Sequence, residues 1–419
     1  MIHANTGLGA IIFTLLALPS IAAAKTVERL SADVSATAAY SNNPFSLTGS
    51  DTGSPLLTVD FAPRYQILTD RSTVTVSADA SLQQYLHRYG RNDSYSGAAD
   101  YVVRPNAHIT AHTRLDLSSA VLGAFNGYRP TFGTGTIDSG ALPGAAAPVV
   151  SIPVATPLIP VTDIGLFGLR SRRNQVRLSG DLSFGLSSRD SLTLSGYGEA
   201  TRYNTVPQFG NYDVYSASLG YSRQITDRIM VGLRASGSSF NYKTDNSSSR
   251  VFPVEVTVFG RLNERWNVDG ALGVTFVDNN AVGSTSRTSL SGNVNLCRRG
   301  ELTSMCILAA RQASPTGLAG TQYVTSAGLS WSKRLSERKN LSFSSNYSKV
   351  GGDFARLLPG NLPLQTEFVQ AVVSYDRRIT ERLRLVLSAN YRQLLHGNAG
   401  RPTDFAGMIG LSYRIGNAR

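Results

Sequence analysis

From Leu57 onward, apolar and polar residues take turns. Leu57, Val59, Phe61, Tyr65 and Ile67 alternate with Thr58, Asp60, Arg64 and Gln66. Successive side chains of a strand point to opposite faces, so a period of two predicts a strand with one apolar and one polar side. The pattern returns at Val74-Val76-Ala78-Ala80-Leu82, Val176-Leu178-Gly180-Leu182-Phe184, Trp266-Val268-Gly270-Leu272-Val274-Phe276 and Phe405-Gly407-Ile409-Leu411-Tyr413. No segment of helical length carries a period of 3.6 residues. The chain therefore reads as all-β, with about 18 strands in a range of 16–18, from Leu30–Tyr40 to Phe405–Ile415. Pro63 and Pro253 fall inside two of these runs. A proline cannot donate to a ladder, so bulges or later strand starts are expected there.

The connections alternate as well. Short polar turns stand at Thr69-Asp70-Arg71, Thr226-Asp227-Arg228, Asn263-Glu264-Arg265, Ser336-Glu337-Arg338 and Thr380-Glu381-Arg382. Asp190, Asp227, Glu264 and Glu301 follow one another at 37-residue intervals, and Glu337 lies 36 residues further on. Between neighbouring turns runs one longer segment, so each repeat holds two strands, one turn and one loop. A propeller would repeat every four strands with blade motifs, and none recurs. Short turns at one end and longer loops at the other are the pattern of a transmembrane up-and-down antiparallel β-barrel. An even strand count puts both termini on the tight-turn side, which in such barrels is periplasmic.

Composition now takes on meaning. Only 16% of the 419 residues are charged, against roughly 25% in a typical soluble domain. No stretch after residue 24 supplies the ~20 apolar residues of a membrane helix. In lipid every backbone polar group must be bonded, which leaves a closed barrel as the β solution. Tyr40, Tyr65, Tyr221, Trp266, Trp331, Tyr375, Tyr391 and Tyr413 fall near strand ends, as interfacial girdles would. Residues 1–24 read as a secretory signal peptide: an apolar run from Ala10 ends in Ala22-Ala23-Ala24 before Lys25, a small-x-small cleavage pattern. Residues 25–419 form the barrel, and the expected location is the cell outer membrane.

Several residues carry a further resemblance. They are the turns Leu335-Ser336-Glu337-Arg338 and Ile379-Thr380-Glu381-Arg382, the hairpin Cys297-Arg298-Arg299-Gly300-Glu301, and the closing aromatic strand. The chain resembles a Gram-negative outer-membrane β-barrel of the porin type. It is similar to the β-barrel porins often found beside exopolysaccharide export systems. The resemblance implies outer-membrane lipid and lipopolysaccharide, the barrel-assembly machinery and polysaccharide export components as partners. It departs at the end: Tyr413 is followed by Arg414 to Arg419, where such barrels stop at an aromatic residue.

If the apolar row faces lipid, the other row lines the lumen. Candidate pore-lining residues are Arg64, Arg114, Arg177, Arg234, Arg384 and Arg392, with Asp60, Asp116, Asp181 and Asp269. They either line a wet channel or pad a closed interior as paired charges. A net charge of +12 favours anionic solutes by focusing. The expected function is passive passage of hydrophilic, anionic solutes or of exported polysaccharide. The alternative is a non-conducting structural or adhesion barrel whose extracellular loops bind a surface partner. The loop 122–173, with prolines at 130, 143, 148, 153, 157 and 160, is expected to be extracellular and to serve as a constriction or plug, a surface flap or a partner-binding arm, and Arg170, Arg172 and Arg173 stand at its exit. Cys297 and Cys306 flank a short hairpin in an oxidising compartment, so a disulfide is expected. No metal spacing, cofactor motif, catalytic His-Ser pattern or nucleic-acid motif is present, and the expectation is no enzyme, no cofactor and no nucleic-acid partner.

Overall fold

The structure, a computed structural model, describes residues 26–47, 52–122, 170–204, 211–243, 247–279, 285–315, 321–351, 366–396 and 402–416. The expected signal peptide and nearly all of the long loop lie outside them. Eighteen strands form a single sheet. The first six are β1 (Val27–Ser41), β2 (Ser54–Leu68), β3 (Ser72–Tyr85), β4 (Arg91–Asn106), β5 (Ile109–Val121) and β6 (Arg172–Gly185). Next come β7 (Asp190–Tyr203), β8 (Tyr212–Thr226), β9 (Ile229–Tyr242), β10 (Ser248–Arg261), β11 (Trp266–Asn279) and β12 (Thr285–Arg299). The last are β13 (Thr303–Pro315), β14 (Thr321–Ser336), β15 (Lys339–Gly351), β16 (Thr366–Arg378), β17 (Leu383–His396) and β18 (Thr403–Gly416). Every strand pairs antiparallel with its sequence neighbours, and β18 pairs back onto β1, so the sheet closes into a barrel.

The alternation read from sequence becomes two wall faces. Leu57, Val59, Phe61, Leu272, Leu290, Ile409 and Leu411 stand exposed on the outer surface. Their polar neighbours Thr58, Asp60 and Ser412 are buried on the inner one. The named aromatics all fall on the outer row by this alternation. Tyr65, Tyr221, Trp266, Trp331, Tyr375 and Tyr413 lie toward the tight turns, and Tyr40 and Tyr391 lie toward the loops, where Tyr391 packs on Phe405 with ring centroids 4.7 Å apart. An apolar band between two aromatic rings is the signature of a wall built to sit in a bilayer.

The tight turns share one local cause. In most of them a Ser, Thr or Asn side chain at the start of the turn folds back and accepts from the backbone N–H groups two and three residues on. Asn263 Oδ1 accepts from Arg265 and Trp266, both at 2.9 Å. Thr226 Oγ1 accepts from Arg228 at 3.3 Å and Ile229 at 3.1 Å, and Thr380 Oγ1 from Arg382 at 3.2 Å and Leu383 at 3.0 Å. Ser, Thr and Asn mimic a backbone turn in this way. Connections at this end are two to four residues long, and both termini lie with them.

The prolines behave differently from expectation. Pro63 pairs with Ala32 on one side, and Pro253 with Thr275. On the other side the ladder skips two residues at each proline and resumes in the same register. No bulge forms, because each missing N–H points to only one neighbouring strand.

Cys297 and Cys306 sit directly opposite each other on β12 and β13, with Cα atoms 4.1 Å apart, and are disulfide-bonded. Removing the bond by Cys297→Ser with Cys306→Ser should lower stability by about 2–3 kcal/mol on loop-closure entropy. Urea titration of the detergent-solubilised protein measures it, and an unchanged midpoint would show that the ladder alone holds this hairpin.

Candidate functional site in the barrel lumen

The inner wall brings charges together that are far apart in sequence. Toward the tight turns, Arg114 Nε donates to both oxygens of Asp116 at 2.9 Å. Beside it His112 lies between two carboxylates, with Nε2 2.8 Å from Asp100 and Nδ1 2.9 Å from Asp181. Arg414 Nε donates to Asp33 at 3.0 Å, linking the last strand to the first. On β9 and β10, Arg234 donates to Glu255 through Nε at 3.0 Å and Nη2 at 2.6 Å. Arg384 stands 3.9 Å from Asp376, and Ser35 donates to Asp60 at 2.9 Å. Arg177 lies over the Tyr197 ring, 4.5 Å from its centroid. Arg64 and Asp269 share these inward rows by alternation. Much of the lumen charge is thus already paired across strands.

At the loop end the chain between β1 and β2 turns inward. Phe45 is 0% exposed and packs against Ala39, Leu56, Tyr85, Ala406 and Met408, all inner-row side chains. Its ring meets Tyr85 at 5.4 Å and Tyr89 at 4.8 Å. Two devices hold it. Asn43 clamps the turn from inside, accepting from the Leu47 N–H and donating to the Leu47 carbonyl, both at 2.8 Å. Ser46 takes a left-handed backbone with φ of 51°, a conformation tolerated where the surroundings dictate it.

The second device is a buried ion pair. Arg392 on β17 and Asp404 on β18 have side chains 1% and 0% exposed. Arg392 donates to Asp404 Oδ2 through Nε at 3.0 Å and Nη2 at 2.7 Å. It also donates to the Pro44 carbonyl at 2.9 Å. The other carboxylate oxygen accepts from Ser41 Oγ at 2.5 Å and from the Asn43 N–H at 3.1 Å. A buried charge needs its lone pairs filled, and here the inward-folded segment supplies part of the filling. Residues 42–47 are therefore pinned to the inner wall at the mouth.

Of the three arginines expected at the long loop's exit, each goes to a different place. Arg170 lies over the Phe45 and Tyr89 rings at 4.8 and 5.5 Å and donates to the Tyr89 carbonyl at 2.8 Å. Arg172 stands on the outer row of β6 and pairs with Asp93 at 3.0 Å. Arg173 is on the inner row, donating to Gln175 at 3.4 Å. The residues that build the mouth but escaped the pattern reading are Asn43, Phe45, Tyr89 and Asp404. Their signal was the Asn43-Pro44 dipeptide, a turn initiator, followed by a phenylalanine in an otherwise polar connection.

No family model matches the chain, and no curated protein does. Among solved structures the chain is similar to OccK2 (OpdF) of Pseudomonas aeruginosa, crystallised in complex with glucuronate. The two are 10% identical over 93% of this chain and 98% of that one, with a TM-score of 0.46. It is also similar to OprD of Pseudomonas aeruginosa, at 12% identity over 94% and 98% with a TM-score of 0.43. A BenF-like porin from Pseudomonas fluorescens Pf-5 gives 8% identity over 93% and 99% and a TM-score of 0.46.

Proposed function

We propose that the chain is an outer-membrane channel for passive passage of small hydrophilic solutes with a preference for anions. The observation that carries this reading is the division of one closed wall into an apolar outer face and a charged inner face. A barrel of 16–18 strands is wide enough to hold an aqueous path. The preference for anions rests on where the net charge of +12 lies. Cross-strand pairs neutralise much of the lumen, whereas the tight-turn rim carries Arg71, Arg228, Arg265, Arg338 and Arg382 from its turns, with Arg299, Lys339 and Arg377 beside them. Acids stand among them at Asp70, Asp227, Glu264, Glu301, Glu337 and Glu381, but with Arg104, Arg189, Arg261, Arg298, Arg334 and Arg378 the cations are in excess, and a rim of net positive charge raises the local concentration of anions. Small solutes fit better than an exported polysaccharide because residues 42–47 occupy part of the mouth.

Planar-bilayer recording of the purified protein tests the reading. The expected result is a stable conductance whose reversal potential in a KCl gradient favours chloride. Replacing Arg338, Lys339 and Arg377 together with glutamine should move that potential toward zero selectivity. The inward-folded segment also favours a second reading, a closed barrel whose loops bind a surface partner. Absence of conductance at every voltage would leave that reading standing.

A further inference from the structure

One seam of the barrel is incomplete. The β12–β13 ladder runs from Arg299 opposite Ser304 to Gly292 opposite Arg311, and stops. Above it, residues 285–291 pair with β11 and residues 312–315 pair with β14, but not with each other. The other ladders continue to within a few residues of the loops. A strand needs ~9–11 residues to cross a bilayer, so the gap begins at membrane depth on the loop side.

The two flanks are offset there. Ala313 and Tyr323 belong to the outer rows that hold Ile307 and Leu329, yet they pack on a cluster containing Phe240, Val251 and Val277. Val277 is an inner-row residue of β11, between the outward Phe276 and Asp278. The outer face of the β13–β14 end therefore lies against the inner face of β11, and the wall overlaps like a lap joint. Gly292 marks where the flanks part, and a side chain there would collide with the Ala271 carbonyl oxygen. Backbone groups at a lipid-exposed edge are costly, so a wall that leaves this seam unzipped carries a reason for it. Leu272 and Leu290, the most exposed apolar residues of the wall at 68% and 67%, stand on β11 and β12 beside it.

We propose that this seam is a lateral port, through which a molecule with an apolar tail and a polar head passes between the lumen and the lipid leaflet on the loop side. The tail would displace Ala313 and Tyr323 from the buried Phe240, Val251 and Val277, and the head would remain on the polar inner row of Ser289 and Ser291. The disulfide below the gap limits how far it can open. This inference does not depend on anion passage.

Bimane attached at Ser289→Cys, on the inner row above the ladder, tests the opening in liposomes containing doxyl-labelled phosphatidylcholine. Quenching should approach that of the outward Leu290→Cys and exceed that of the inward Asn293→Cys, which lies within the ladder. Quenching equal to Asn293→Cys overturns the port. The ligand is tested with dansyl-undecanoate on the double variant Ser289→Cys/Ser314→Cys, whose positions continue the register of the ladder. Oxidation of this pair should weaken probe binding at least about tenfold, since excluding even two methylenes costs that much, while ionic conductance stays unchanged. Binding that oxidation leaves intact, or no binding by the native protein, overturns the ligand class.

Discussion

Replacing Asp404 with alanine should lower the unfolding free energy of the detergent-solubilised barrel by about 3–5 kcal/mol, the usual loss when one partner of a buried ion pair is removed. The cause is what remains behind. Arg392 keeps its charge in a site that is 1% exposed, and Ser41 and the Asn43 N–H lose their acceptor. The same change releases residues 42–47 from the wall, so single-channel conductance should rise. Two outcomes separate the roles. A fall in stability with unchanged conductance would mean that the segment does not narrow the path. Unchanged stability would mean that water reaches Arg392 and the pair is not sealed.

Phe45→Ala should cost about 3–5 kcal/mol as well, the range for truncating a buried phenylalanine. Here the loss is of shape and not of charge. The ring fills the space between Tyr85, Tyr89 and the inner row of β1, β2 and β18, and Arg170 rests on it. Its removal leaves Arg170 with the Tyr89 face alone. Conductance should rise, as for Asp404→Ala, and the double variant should show less than the sum of both losses, because both act through one segment. Additive losses would place Phe45 and the ion pair in independent structures.

Features set by neighbours in the chain were legible in advance. Alternation yielded 18 strands because lipid on one side and water on the other impose a period of two wherever the wall runs. The Thr-Glu-Arg and Asn-Glu-Arg turns were visible because their hydrogen bonds span only two or three residues. Contacts set across the barrel were not. Arg392 was readable as an inward cation, but its partners lie on β18 and in the β1–β2 connection, which the register alone brings together. His112 could be placed on the inner row, yet the carboxylates flanking it are 12 and 69 residues away in the chain. The incomplete β12–β13 ladder left no trace in either strand, since both read as ordinary alternation. Pro63 and Pro253 misled for a related reason: the pattern shows the missing donor but not that one flank alone would need it.

The pin at the mouth also imposes an order of events on assembly. Asn43 and Pro44 belong to the first connection of the barrel, whereas Asp404 and Arg392 belong to its last two strands. The segment emerges early in synthesis and has no seat until the end of the chain has found the beginning. A barrel still open at the β1–β18 seam thus has an unobstructed mouth, and the act of closing the wall is what sets the obstruction in place.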